Sequence, residues 1–422
     1  MPTNWLGAQL INVPESLASV TTVGAGESDQ GKSDKGGLSQ GAIDSIWSSV
    51  EDLYRSAAYP AITFCLRRDG DVVLNRSLGH ARGNGPQDAK STPKHAAQPD
   101  TPICIYSASK AVTAILVHKL AEEGGIDLDQ RVSYYLPEFA AAGKRDTTIS
   151  QVLAHRGGFP MFDLPPEERD PERLLDWDNC IELICAAEPS HESGERLAYH
   201  AITGGFILGE VIQRVSQMSL NEYLDTRIRQ PMGMQYFTYG LEQKHRDKVA
   251  MNYAAGQPVR FPVSKILEKA LSAPIDEVIE ISNSEIFMQA VVPAGNLYCS
   301  AEELSRFYQM LLDDGVWQGQ QILKPATVAR AIKPNGKLCF DHTLKAPMRY
   351  SEGLMLGGAP VGLYGPMTDS AYGHLGFMNI LGWADPARKL SAGLLVTGKA
   401  VLGGHLVPLS QLITNIARQC KK

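Results

Sequence analysis

Apolar and polar positions along this chain fall into two periods. From Ala42, Ile43, Ile46, Trp47, Val50, Leu53 and Tyr54 recur at helical spacing. Two short β-rich runs follow, Ala61–Leu66 and Val72–Asn75. Arg68-Asp69-Gly70-Asp71 lies between them as a turn signal, so the pattern predicts a hairpin. A looser stretch rich in Gly, Pro and Ser, residues 79–100, leads to a second helical pattern. Its apolar positions are Val112, Ile115, Leu116 and Leu120, and it stops at Gly124-Gly125. From 126 to 290 helices and loops dominate: Ile149–His155, Cys180–Ala187, Gly205–Val215 and Leu220–Arg229. Within that region, residues 240–290 read as irregular. Strand character returns at Gly376–Ala384 and Leu390–Thr397, around Asp385-Pro386-Ala387-Arg388-Lys389. An amphipathic helix over Val407–Arg418 follows.

Strands near both ends with helices between them predict one α/β domain, made from residues 41–140 and 291–422. A helical domain with irregular loops, residues 141–290, is inserted into it. Residues 1–40 are predicted as a flexible arm, because 24–37 is rich in Gly, Ser and charge without an apolar period. Gly37-Leu38-Ser39-Gln40-Gly41 in this arm spells Gly-x-Ser-x-Gly, the nucleophile elbow of α/β-hydrolases. That elbow requires an apolar strand directly before the serine, and a polar run stands there instead. Ser39 is therefore read as a linker serine.

Composition narrows the classes. The 422 residues suffice for two or more domain-sized units, and 44% hydrophobic with 20% charged is ordinary for a globular protein. A net charge of −6 gives no nucleic-acid footprint. There is no run of 18 apolar residues to span a membrane. Met1-Pro2-Thr3-Asn4-Trp5-Leu6-Gly7 lacks a basic start and a long apolar run, so no secretory signal is read. The seven cysteines are scattered, without Cys-x-x-Cys, and His-x-x-x-His is absent. These features argue against a disulfide framework or a bound metal and fit a reducing cytoplasm. No cofactor is expected.

The candidate chemistry starts at Ile103-Cys104-Ile105-Tyr106-Ser107-Ala108-Ser109-Lys110, which contains Ser-x-x-Lys. Residues three apart on a helix share a side, so Ser107 and Lys110 would stand together. Ser107 would also sit at the helix N-terminus, which favours a developing anion. A desolvated lysine can serve as base for a serine nucleophile. Tyr199, in Ser193–Gly205, lies on a loop just before an apolar helix. Near a lysine cation its phenol could act as base or acid. Tyr372-Gly373-His374-Leu375-Gly376-Phe377 opens the late strand. The N–H of Phe377, on an edge strand, could pair with that of Ser107 as an oxyanion hole, and His374 could donate to a substrate oxygen.

Ser-x-x-Lys, then the Tyr199 motif, then His374-Leu375-Gly376, resembles in order the serine β-lactamase superfamily. The branch it looks most like is that of class C β-lactamases, DD-peptidases and family VIII carboxylesterases, closest to the last. Gly125–Pro137, Ile149–Gly158 and Pro293–Leu304 are also similar to segments of that branch, and the resemblance spans about residues 42–420. It implies an antiparallel sheet flanked by helices, with an inserted all-helical domain. It also implies an acyl-enzyme on Ser107, proton transfer by Lys110 and Tyr199, and an oxyanion hole from the N–H groups of Ser107 and Phe377. Substrate contacts are expected from His374, Gly376 and His200. Which of Lys110 and Tyr199 is the base stays open, because the pair titrates together.

Two departures bear on the substrate. The lactamase pattern Tyr-x-Asn is Tyr199-His200-Ala201 here, and Lys-Thr-Gly is His374-Leu375-Gly376. Loss of an amide and of a fixed positive charge favours apolar acyl esters over β-lactams. The expected partner is a small ester, with weak β-lactam hydrolysis as a side activity. An acyltransferase or amide hydrolase would share these residues, and a non-catalytic binding homologue is the third reading. Residues 158–170 and 235–295 are expected to line the pocket, with Phe159 and Met161 as candidate walls.

Overall fold

The computed structural model describes residues 7–27, 34–161, 171–271 and 273–421. At its centre is an eight-stranded sheet in which every pairing is antiparallel. Its strands are β1 (Thr21–Val23), β2 (Ala61–Arg68), β3 (Asp71–Arg82), β4 (His95–Ala96), β5 (Met355–Leu356), β6 (Tyr372–Gly376), β7 (Ile380–Asp385) and β8 (Leu390–Val396). The order is β1-β3-β2-β8-β7-β6-β5, with β4 paired to the far part of β3. The sheet thus joins strands from both ends of the chain at the β2–β8 pair, where Ile62 faces Val396 and Arg68 faces Leu390.

β8 is buried at every position and β2 at all but its last. Continuous burial of this kind means that both faces are covered. One layer comes from α1 (Gln40–Arg55) and the C-terminal helix α5 (Leu406–Gln419), which pack together. Asn415 of α5 donates to the Ser45 carbonyl at 2.9 Å and to Ser49 Oγ at 2.9 Å. The other layer is α4 (Ala301–Leu312), lying across β2, β7 and β8. Glycines permit this approach. A Cβ on Gly393 would lie 2.5 Å from the Ala301 carbonyl oxygen, and one on Gly382 would lie 2.5 Å from the Tyr308 ring.

Two further helices matter for the site. α2 (Ser109–Glu122) is buried at every position from Ser109 to His118, so it is a core helix rather than a surface one. α3 (Thr203–Ser216) packs against it. No helix of the described residues is long and apolar enough to cross a membrane.

Several expectations need correction. The amino-terminal arm is not free along its length. Thr21–Val23 pair with Leu78–Arg76 as an edge strand, and Ile11 and Leu17 are buried in the core. Three ladder residues are too few to show a period, so the sequence hides the strand. Residues 1–6 and 28–33 of the expected arm lie outside the described residues. Ser39 is more than a linker residue: its Oγ accepts the Ala42 N–H at 3.3 Å and caps α1. β3 runs on to Arg82, into the stretch read as loose.

Among its described residues the 240–290 region holds three short α-helices, Val263–Leu271, Ile275–Ser282 and Glu285–Gln289, and a 3-10 turn at Gln243–His245. None is long enough to establish a helical period. The stretch Gly376–Ala384 is not one strand. Phe377–Asn379 form a tight turn between β6 and β7, with Met378 at φ 55° and Asn379 at φ 73°. Phe377 therefore belongs to a turn and not to an edge strand. The turn residues Phe377 and Met378 are apolar, which is why the sequence reads through them.

Candidate active site

The segment leading to Ser107 is fixed by backbone pairing. Ile103–Cys104 join a small sheet whose middle strand is Leu297–Cys299. Ile105 then donates its N–H to the Leu297 carbonyl at 2.9 Å. Tyr106 follows in the left-handed region, at φ 47°. A bulky residue there is strained, at a cost of about 1–3 kcal/mol. Its surroundings hold it: the phenol donates to Ser282 Oγ at 2.8 Å and the ring packs on Phe377 with centroids 5.3 Å apart. Tyr106–Ala108 make one 3-10 turn that runs straight into α2, so Ser107 stands at the helix entry. Ser109 locks the turn by donating to the Tyr106 carbonyl and accepting the Leu297 N–H at 3.0 Å.

Lys110 lies one turn on. Its Nζ is 3.0 Å from Ser107 Oγ and 2.9 Å from the Ala294 carbonyl oxygen. It also lies 4.9 Å from the centre of the Tyr199 ring. Burial holds the amine well below the usual lysine range, since a charged ammonium loses its hydration there. The Ala294 carbonyl is brought close because the first turn of α3 carries Gly204-Gly205. A Cβ on Gly205 would sit 2.7 Å from that of Ala294.

Tyr199 arrives on the loop before α3, with its phenol facing the Ser107 hydroxyl. Burial pushes the phenol above its usual value, opposed by the Ser107 hydroxyl and reinforced by the Asp341 carboxylate. His374, on β6, has its ring centroid 6.2 Å from that of Tyr199. Its Nδ1 hydrogen-bonds the Leu375 carbonyl at 2.7 Å, while its Nε2 is buried without a partner. Burial first, then the nearby Lys110, pushes His374 down to about 3, so it is neutral at pH 7. Gly376 abuts the nucleophile turn: a Cβ there would lie 2.2 Å from the Ile105 carbonyl oxygen. Phe377 follows directly, placing the end of β6 beside the backbone that leads into Ser107.

Ser107, Lys110, Tyr199, His374, Gly376 and Phe377 are therefore brought together. His200 is not part of the same face. It is fully buried against Phe159, with ring centroids 4.7 Å apart, and against His155 at 5.7 Å. Burial pushes it down to about 3, so the ring is neutral at pH 7. It backs a small cavity beside Lys110 with Thr113, His155 and Gly204. Adjacent residues on an extended loop point opposite ways, so Tyr199 and His200 diverge. Phe159 likewise is core, packed on Phe139 as well as His200. Met161 is half-buried, and residues 162–170 of the expected wall lie outside the described residues.

Three residues that sequence reasoning did not single out surround Tyr199. His155 sits at φ 57°, with its ring centroid 4.6 Å from that of Tyr199. Tyr350 stacks nearly parallel to Tyr199 with centroids 6.4 Å apart. Asp341 Oδ1 accepts the Tyr199 N–H at 3.1 Å. His155 lies inside one of the segments that carried the family resemblance; nothing in the pattern marked Asp341 or Tyr350. Among the described residues no group of three or more His, Cys, Asp or Glu side chains could hold a metal ion.

Comparison with known proteins bears on the same segments. Residues 46–405 match the family model described as Beta-lactamase. The chain is 24% identical over 376 residues to Esterase/beta-lactamase LipL of Mycobacterium tuberculosis (strain ATCC 25618 / H37Rv), covering 84% of this chain and 82% of that protein. The crystal structure of a family VIII carboxylesterase superposes with a TM-score of 0.76 at 29% identity, covering 90% of this chain and 98% of that one. A penicillin-binding protein homologue from Caulobacter crescentus superposes with a TM-score of 0.74 at 25% identity, covering 90% and 97%. The family match spans the Ser107 turn, the Tyr199 loop and the β6–β7 hairpin alike, and the fold is shared over nearly the whole chain. This chain belongs to the beta-lactamase family of hydrolases.

Proposed function

We propose that this protein is a serine carboxylesterase that hydrolyses short to medium acyl esters through an acyl-enzyme on Ser107. The observation that carries the reading is the 3.0 Å contact between Lys110 Nζ and Ser107 Oγ, made by an amine that burial favours as neutral. A neutral amine in that place can take the serine proton as Oγ attacks the ester carbonyl carbon. Tyr199, facing the same hydroxyl, passes the proton to the leaving alcohol. The N–H groups of Ser107 and Phe377 receive the oxyanion of the tetrahedral intermediate. Water, deprotonated by the same pair, then releases the acid.

Ester rather than lactam is favoured by what stands around these groups. Ala201 offers no amide to an acylamino side chain, and neutral His374 offers no fixed charge to a drug carboxylate. With Nδ1 donating to the Leu375 carbonyl, the unpartnered Nε2 of neutral His374 is an acceptor, suited to a hydroxyl such as that of the leaving alcohol and not, as expected from the sequence, a donor to a substrate oxygen. Weak β-lactam hydrolysis is the side activity to look for, in keeping with the similarity to an esterase/beta-lactamase. The experiment is p-nitrophenyl butyrate hydrolysis by wild type and Ser107→Ala, with a fluorophosphonate adduct mapped by mass. Loss of turnover in the variant and an adduct on Ser107 are expected. Full activity in Ser107→Ala would overturn the assignment.

A further inference from the structure

Asp341 is fully buried, and no basic side chain pairs with it among the described residues. A buried carboxylate is costly unless hydrogen bonds replace its hydration. Here they do. Oδ1 accepts the N–H of Tyr199 at 3.1 Å, of Thr343 at 2.8 Å and of Leu344 at 2.9 Å. Oδ2 accepts the phenol of Tyr350 at 3.2 Å. Two of these four donors belong to the hairpin that carries Asp341 itself, so they hold the carboxylate still. The other two are Tyr199 and the tyrosine stacked on its ring. Tyr350 also meets His155 edge-on with centroids 4.8 Å apart, and His155 lies against Tyr199 in turn. Leu197, Tyr199, Ala201, Met348, Tyr350 and Met355 form a separate small apolar cluster, and two of its members, Tyr199 and Tyr350, donate to the carboxylate.

We propose that Asp341 is the positioning residue of the active site, fixing Tyr199 over Ser107 by its main chain directly and by its ring through Tyr350. The inference rests on the acyl-enzyme reading of Ser107, Lys110 and Tyr199. A loop tyrosine held only by its own apolar contacts could shift, and a displacement of about 1 Å at a proton-transfer group can cost on the order of a hundredfold in rate. The clamp removes that freedom at two points. The carboxylate charge has a second consequence, since it opposes loss of the Tyr199 proton.

The test is a double-mutant cycle between Asp341→Ala and Tyr199→Phe, read as kcat and KM for p-nitrophenyl butyrate. Asp341→Ala is expected to lower kcat on the order of ten- to a hundredfold with KM nearly unchanged. In the Tyr199→Phe background the same substitution is expected to cost nothing further, because the group it positions has gone. Asp341→Asn, whose amide oxygen still accepts the Tyr199 N–H, is expected to recover most of the rate. Equal losses in the two backgrounds, or full kcat in Asp341→Ala, would overturn the proposal. Should Asp341→Ala not fold, Tyr350→Phe removes only the donor to Oδ2, and the same cycle applies with a smaller loss. Should wild type turn over no ester, the esterase reading falls. The cycle is then read in the rate of fluorophosphonate labelling of Ser107, with the same two outcomes.

Discussion

Two lysines lie buried within reach of the same turn, and they differ in what they touch. Lys110 reaches the Ser107 hydroxyl, the Ala294 carbonyl and the Tyr199 ring. Lys399 lies with its Nζ 4.6 Å from the centre of the Tyr106 ring and donates to the Val396 carbonyl at 2.9 Å. Burial depresses both, Lys399 to about 7. A lysine poised near neutrality is often taken as a mark of catalysis. Here the direction of the shift is shared and the contact with a nucleophile is not. Desolvation makes an amine available as a base, and only a hydroxyl at hydrogen-bond distance gives it something to do. On this reading Lys399 supports the strained Tyr106 from beneath, while Lys110 works on Ser107.

The largest effect should come from the Lys110 side. Ser107→Ala should reduce ester turnover to background. Lys110→Ala and Tyr199→Phe should each lower kcat about a hundredfold or more, as removal of a general base usually does. Their combination should cost far less than the product of the two, because the groups act as a unit on one proton. Steady-state kinetics on the single and double variants checks this. Independent, multiplicative losses would mean that Lys110 and Tyr199 serve different steps.

An intermediate effect is expected in the pH–rate profile. Lys110 must be neutral to take the serine proton, so activity falls as pH drops through its lowered value. Lys399 is also lowered, to about 7, but it has no reacting atom beside it. The acid limb of kcat/KM should therefore persist in Lys399→Met. Its disappearance there would assign the limb to Lys399 and reverse the comparison.

What could be read from the chain follows how locally each feature is encoded. Ser107 and Lys110 are one helical turn apart, so spacing alone puts them together. Tyr199 and His374 are distant, and only the order of motifs shared with a family connects them to Ser107. Asp341 had no such support. It lies 142 residues from Tyr199 and meets it only because a short hairpin folds back over the loop. His200 misled for the opposite reason: nearness in sequence suggested nearness to substrate, and the loop turned its ring into the core. The sheet was legible where strands were long and bounded by polar turns, as at Arg68–Asp71. It was misread where the turn itself was apolar, at Phe377–Asn379. The three-residue strand Thr21–Val23 and the short helices between 263 and 289 are set by what they pack on, and local pattern does not reveal that.

The smallest effect on rate, and the most telling for the comparison, belongs to Lys399→Met. Methionine keeps the length and apolar stem of the side chain and removes the amine. Turnover should stay within about threefold of wild type, since no reacting group is touched. Stability should carry the signature instead. In the folded protein Lys399 gives up its proton near pH 7, whereas in the unfolded chain a lysine keeps it to about pH 10.4. Between these values the unfolded state binds more protons, so raising the pH favours the folded state. Below the folded value both states are protonated, and the cost of a buried ammonium is felt in full. The melting temperature of wild type minus that of Lys399→Met should therefore climb from about pH 7 to about pH 10 and level off on either side. Cys104 feels the Lys399 charge, but burial pushes its thiol up to about 12, above this range, so between about pH 7 and about pH 10 the difference reads the amine. A flat difference would mean that Lys399 stays charged in the fold. A rate loss as large as that of Lys110→Ala would mean that both buried lysines serve the chemistry.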